Sequence, residues 1–137
     1  MTPAAVVGQD GDVTTTAAAT SATPASTSAL APTPIPGTRR VGVMLPRDLP
    51  ADEVLTFARR ADELGFDELW VVEDPGFRGG IAQAAAILAV TPRITVGIGI
   101  MPAAARQAAF AAMEVATLGQ LFPGRVIAGV GHGMPGW

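Results

Sequence analysis

The chain has 137 residues, with 12 acidic side chains against 9 basic ones, all arginine, a single histidine, no cysteine and a net charge of −3. Without cysteine there are no disulfides, thiolate metal sites or thiol nucleophile; without lysine there is no Schiff-base chemistry and no P-loop; one histidine leaves no imidazole-based metal site. The basic doublets Arg39-Arg40 and Arg59-Arg60 are too sparse for a nucleic-acid footprint.

Residues 1–38 are mostly Ala, Thr, Ser and Pro, as in Thr14-Thr15-Thr16-Ala17-Ala18-Ala19-Thr20. Such a segment buries too little surface to offset its ordering entropy, and Pro24, Pro32, Pro34 and Pro36 favour extended backbone. A disordered tail over 1–38 ahead of one domain over 39–137 is the expectation. The tail has no Lys or Arg and no long apolar run, and it carries Asp10 and Asp12, unlike secretory or transit peptides. The apolar stretch 81–90 is too short to span a bilayer, so a cytoplasmic protein without a membrane partner is expected.

From Val41 onward, apolar runs alternate with helix-like stretches. Val41-Gly42-Val43-Met44-Leu45 lacks polar alternation and reads as a strand buried on both faces, ended by Pro46. Asp48 or Leu49 is expected to cap a helix with Pro50 in its first turn; Asp52 and Glu53 then lie near its positive end. Val54, Phe57, Ala58, Ala61 and Leu64 form one helical face, and Gly65 is the stop. Leu69-Trp70-Val71-Val72 is a second strand, followed by the loop Glu73-Asp74-Pro75-Gly76. Gly79-Gly80 opens an alanine-rich helix from Ile81 to about Val90, ended by Pro92. Residues 94–100 form a third strand containing Gly97 and Gly99, glycines that often mark a bulge or a close ligand. Met101-Pro102 ends it, and a third helix over 106–121 carries Phe110, Met113, Thr117 and Leu121 on one face. Pro123-Gly124 turns into the fourth strand, 126–130, and the loop from Gly131 to Gly136.

Strict alternation of strand and helix implies a parallel sheet. The fold class expected is α/β: a partial (β/α)8 TIM barrel of about four parallel strands and three helices. Ligands of such folds gather at the C-terminal ends of the strands, which makes 46–49, 73–80, 101–106 and 131–137 the working loops.

The stretch Gly65-Phe66-Asp67-Glu68-Leu69-Trp70-Val71-Val72-Glu73-Asp74 resembles the second strand of the bacterial-luciferase-like oxidoreductases. Arg93-Ile94-Thr95-Val96-Gly97-Ile98-Gly99-Ile100 is similar to the third. The block from Ala116-Thr117-Leu118 through Gly124-Arg125 to Gly129-Val130-Gly131-His132-Gly133 resembles the family's fourth-strand signature. The resemblance covers about 41–137. It implies a barrel that binds FMN or a deazaflavin (coenzyme F420) at its C-terminal face and acts on a small organic substrate. FMN members are oxygen-activating monooxygenases, and deazaflavin members transfer hydride. The family often has a bulge and a non-prolyl cis peptide in its third strand, beneath the flavin ring. By that match Ile98, Gly99, Ile100 and Met101 lie against the ring, and Gly131 joins the cofactor-binding set. Two departures stand out. Many deazaflavin members have Asp-His where this chain has Glu73-Asp74, and the sugar-phosphate dehydrogenase branch has an acid where this chain has Met134.

Glu73, Asp74 and His132 are the catalytic candidates. Adjacent carboxylates in a half-buried mouth suit proton transfer, although a solvated turn fits the same pattern. His132 offers an imidazole on the ligand side of the barrel, where it could hydrogen-bond cofactor or substrate; a rim histidine capping a carbonyl is the plain alternative. Glu114, in an apolar helix, reads as a helix-surface or subunit contact. Trp70 reads as core rather than as a flavin shield. Arg78 and Arg106 lie in mouth loops and carry little weight as anion contacts. Gly129-x-Gly131-x-Gly133 is a tight barrel loop, since a dinucleotide fingerprint belongs after a first strand.

The 97 residues from Val41 (137 − 40) compare with about 250 for a whole barrel. Open strand edges then predict a marginal monomer that dimerises into a pseudo-barrel, stays partly molten, aggregates, or pairs with a missing C-terminal half. Three readings stand: the N-terminal half of a luciferase-like oxidoreductase, a truncated non-catalytic fragment associating through its open edges, and a flavodoxin-like nucleotide binder. No phosphate-cradling loop follows the first strand to support the last of these.

Overall fold

The computed structural model describes residues 39–134 and 136; the tail assigned to 1–38 lies outside the described residues. Seven elements follow in the order β1 (Gly42–Met44), α1 (Val54–Glu63), β2 (Glu68–Val71), α2 (Gly80–Val90), β3 (Thr95–Pro102), α3 (Ala108–Leu121) and β4 (Val126–Gly131). The strands form one sheet in the order β1-β2-β3-β4, and every neighbouring pair is parallel. Because all four strands run the same way, the loops that follow them share one end of the sheet. This is the (β/α)-barrel arrangement expected, in a four-stranded segment.

One face of the sheet carries the core. Leu69 and Val71 of β2 and Val96 and Ile98 of β3 are fully buried, packed with Val54, Ala58 and Ala61 of α1 and Ala84, Ile87 and Leu88 of α2. In the alanine-rich α2, Ile87 and Leu88 carry most of the burial, about 1.5–3 kcal/mol each. The opposite, inner face bears Gly42, Met44, Glu68, Trp70, Thr95 and Gly97, by the registers Gly42↔Glu68, Met44↔Trp70, Glu68↔Thr95 and Trp70↔Gly97.

Several element ends differ from the sequence expectation. The segment 51–53 is a hydrogen-bonded turn, with the Glu53 N–H on the Pro50 carbonyl (3.0 Å), and α1 starts only after Glu53, its N-cap. Its end is as expected: Gly65 has φ +88°, its N–H reaches the Asp62 carbonyl and the Phe66 N–H reaches that of Ala61. Leu64, expected on the packed face, is exposed because the chain is already turning there. Met101 and Pro102 do not end β3; they pair with Val130 and Gly131. The face of α3 that packs is Ala111, Val115 and Leu118. The expected stripe of Phe110, Met113 and Leu121 points outward, each more than half exposed.

A polar latch closes the N-terminal end. The buried Asp62 side chain accepts the Ile94 N–H at 2.6 Å, and Arg93 Nη2 donates to the Asp62 and Phe66 carbonyls. Arg125 donates to the Ile94 carbonyl and to the Thr91 hydroxyl. Burial lowers the Arg125 pKa, an effect the Asp62 charge opposes. Helix α1, the start of β3 and the start of β4 are thereby tied together.

Candidate functional site

The inner face near the C-terminal strand ends has two large side chains lying on glycine. The Trp70 indole covers Gly97, where an added Cβ would fall 2.5 Å from the ring, and also abuts Gly42 and Gly99. Its Nε1–H donates to Glu68 (2.9 Å), which pairs with Arg40 (3.0 Å). The second is Ile100. Between Ile98↔Ala128 and Met101↔Val130, β3 advances three residues and β4 two, so β3 carries one extra residue, a bulge. The Gly99–Ile100 peptide bond within it is cis, as the resemblance implies. The bulge turns Ile100 onto the inner face over Gly129 and Gly131, where Cβ atoms would meet its side chain at 3.3 and 2.5 Å. Gly129 is required more strictly, since a Cβ there would lie 2.9 Å from the Ile98 carbonyl oxygen.

Arginines stitch the rim above this floor. Arg47, after β1, pairs with Asp74, after β2, at 2.9 Å and lies 4.7 Å over the Phe77 ring. Arg78 donates to the carbonyls of Leu49 (2.8 Å) and Arg47 (3.1 Å) and to Gln83 Oε1 (3.1 Å). Arg106, just before α3, contacts Glu73 at 2.6 Å and Glu114 of α3 at 3.7 Å. The other Glu73 oxygen accepts the Gly80 N–H at 3.0 Å and so caps α2, whose N-cap Gly79 supplies no side-chain acceptor. A cavity of about 240 Å³ lies among these loops, bordered by Glu73, Asp74, Phe77, Arg78, Pro102 and Ala105. A second of about 320 Å³ lies on the helix side, between α3 and the ends of β3 and β4.

The sequence candidates fall into distinct positions. Gly99 and Ile100 are on the inner face, with Ile100 37% exposed. The side chains of Ile98 and Met101 are buried on the helix side, so only their backbone faces inward. Gly131 underlies Ile100, and its carbonyl accepts the Ala103 N–H (2.7 Å). Glu73 and Asp74, adjacent in sequence, are held by different arginines. His132 is exposed at the end of β4. Trp70 lies on the inner sheet surface, outside the helix-side core. The structure brings Arg106 and Glu114, of little weight in the sequence, together at the mouth. A carboxylate in an apolar helix eight residues after an arginine was the available signal, and the uncapped Gly79-Gly80 start of α2 was the signal for Glu73 as a distant cap. No group of His, Cys, Asp and Glu able to hold a metal ion occurs among the described residues, nor is any described helix long and apolar enough to cross a membrane.

Parallel βα units with a bulged third strand and a glycine-bedded floor at the strand ends define a segment of a (β/α)-barrel scaffold. The chain belongs to the luciferase-like monooxygenase family, whose model matches residues 25–136. It is 30% identical over 88 residues to a 5,10-methylenetetrahydromethanopterin reductase of Methanolobus tindarius, covering 62% of this chain and 27% of that protein. It is similar in fold to the coenzyme F420 dependent tetrahydromethanopterin reductase of Methanopyrus kandleri, with TM-score 0.65 and 24% identity over 71% of this chain and 28% of the other. It is also similar to an F420-dependent secondary alcohol dehydrogenase solved with an F420-acetone adduct, with TM-score 0.58 and 28% identity over 66% of this chain and 31% of the other. The chain thus spans roughly three-tenths of the length of these relatives.

Proposed function

We propose that this chain supplies the first four strands of a luciferase-like oxidoreductase and that Ile100, on its glycine bed, is the floor on which FMN or coenzyme F420 rests. The observation that carries the reading is the bulge-and-glycine arrangement. The fold spends one extra residue in β3 and the glycines Gly129 and Gly131 in β4 to present an apolar, partly exposed side chain at the ligand-binding end of the sheet. A flat tricyclic ring fits a surface made of Ile100 with Trp70 beside it, both large apolar side chains resting on glycines. Family membership and the F420-bound dehydrogenase support the cofactor class. When bound, FMN supplies electrons for oxygen activation, whereas a deazaflavin passes hydride to or from a small organic molecule.

The chain's own groups then divide the work. Gly99, Ile100 and Gly131, with the backbone of Ile98 and Met101, hold the ring. His132, exposed beside Gly131, moves a proton at the substrate. Asp74, paired to Arg47, borders the mouth and orients polar substrate atoms. Glu73 has both oxygens engaged and acts through the loop that it holds.

Fluorescence titration of the purified chain with FMN and with coenzyme F420 tests the reading. Saturable quenching by one of them, lost in Ile100→Asp with an unchanged melting temperature, is expected. Absence of binding by both, or wild-type affinity in Ile100→Asp, would refute it. The rival reading, a non-catalytic fragment that associates through the free edges of β1 and β4, predicts self-association without flavin binding. β1 and β4 are the outer strands of the described sheet, which leaves their outer backbone edges open to that contact.

A further inference from the structure

We infer that Arg106 is a positioning residue: it clamps Glu73 onto the start of α2 and thereby sets the loop after β2 against the bulged end of β3. The inference rests on the cofactor-floor reading for its functional consequence, but the clamp itself stands on geometry. Arg106 reaches Glu73 from the segment between β3 and α3, with contact at 2.6 Å, and Glu73 passes the constraint on through its bond to the Gly80 N–H. Gly80 transmits it to the floor: an added Cβ there would lie 2.9 Å from both Glu73 Oε2 and Ile98 Cγ2, so the helix start lies close against both the carboxylate and the last paired residue before the bulge. Arg106 Nε lies 3.7 Å from Glu114 Oε2 on α3, an ionic contact without a hydrogen bond, and both Arg106 Nη1 and Glu114 Oε2 are buried without a hydrogen-bond partner. With its side chain 26% exposed and a carboxylate on either side, the guanidinium faces two acids of its own chain. The guanidinium places Nη2 on Glu73 and Nε toward Glu114, two separate nitrogens for two carboxylates, which the single ammonium of lysine reproduces less well.

The test compares Arg106→Met, Arg106→Lys, Glu73→Gln and the double variant Arg106→Met/Glu73→Gln with the wild-type chain. Glu73→Gln keeps an oxygen for the Gly80 amide while removing the charge, so it remains informative if Arg106→Met folds poorly. Amide hydrogen exchange without cofactor is expected to rise at least tenfold over 79–82 and 101–105 in Arg106→Met and to stay unchanged at Ile94. Partial restoration is expected in Arg106→Lys. Flavin affinity, measured well below each variant's melting temperature, is expected to weaken about tenfold in Arg106→Met and no further in the double variant. Unchanged exchange over 79–82 overturns the clamp. Exchange that rises with wild-type flavin affinity overturns its positioning role. If the wild-type chain binds neither flavin, the proposed function fails, and the exchange measurement still decides the clamp.

Discussion

Replacing Asp62 with alanine is expected to be the most damaging single polar change at the N-terminal end of the sheet. Asp62 accepts the backbone N–H of Ile94 at 2.6 Å, and Ile94 is 0% exposed. A hydrogen bond to a charged group contributes about 1.5–3 kcal/mol, and losing it strands a buried donor that no water reaches. Arg93 adds little, because its 3.8 Å contact involves a side chain that is 48% exposed, and such pairs contribute under about 1 kcal/mol. Arg125 loses the nearby charge that opposes its desolvation. Together these place Asp62→Ala at about 3 kcal/mol. Asp62→Asn retains an acceptor for Ile94 and is expected to cost about 1 kcal/mol. Urea unfolding followed by circular dichroism measures both, with the slope unchanged if only stability moves. For a domain of this size, 3 kcal/mol corresponds to a melting shift on the order of 15 °C. If Asp62→Asn were as harmful as Asp62→Ala, the charge rather than the acceptor would matter, and the argument from the Ile94 amide would be wrong.

Three further outcomes follow from the same geometry. Gly97→Ala drives a methyl to 2.5 Å from the Trp70 ring and is expected to cost about 1–3 kcal/mol. In a Trp137→Phe background, the emission of Trp70 should shift to the red as the indole lifts off. Gly129→Ala meets the Ile98 carbonyl, a backbone atom that cannot swing aside. Its urea midpoint should fall and flavin quenching should disappear, whereas Gly131→Ala, which meets only the tip of Ile100, should be milder on both measures. Met113→Gln and Leu121→Gln, on the outward face of α3, are expected to change stability by less than about 0.5 kcal/mol in thermal melts.

The parallel sheet and its helices were readable because short apolar runs without polar alternation, such as Leu69-Trp70-Val71-Val72, suit the strands of a covered parallel sheet. The expected burial on both faces does not hold for the first run, 41–45: β1 is an outer strand, with Val41 55% and Met44 62% exposed, because only the helix-side face of the sheet is packed. Gly65 was readable as a stop because a positive φ has few other tenants. The glycines Gly97 and Gly99 marked β3 as unusual, but not how: Gly97 makes room for an indole from β2, and Gly99 opens the bulge. The face of α3 was misjudged because helical spacing identifies a stripe without saying whether anything lies against it. Alanine, valine and a single leucine were enough for the close approach, leaving the larger residues outside.

What the sequence alone determined, then, was the order and direction of the elements, since these follow from hydrophobic period, turn residues and the short connections between them. It also located the strand ends at which ligands of such folds gather, and the glycines near them. Only the tertiary structure decided which charges meet. Glu73 and Asp74 are neighbours in the chain, yet one is held by Arg106, 33 positions later, and the other by Arg47, 27 positions earlier. Such pairings depend on where three separate loops end in space, and no local pattern encodes the distance between loops that are brought side by side by the sheet.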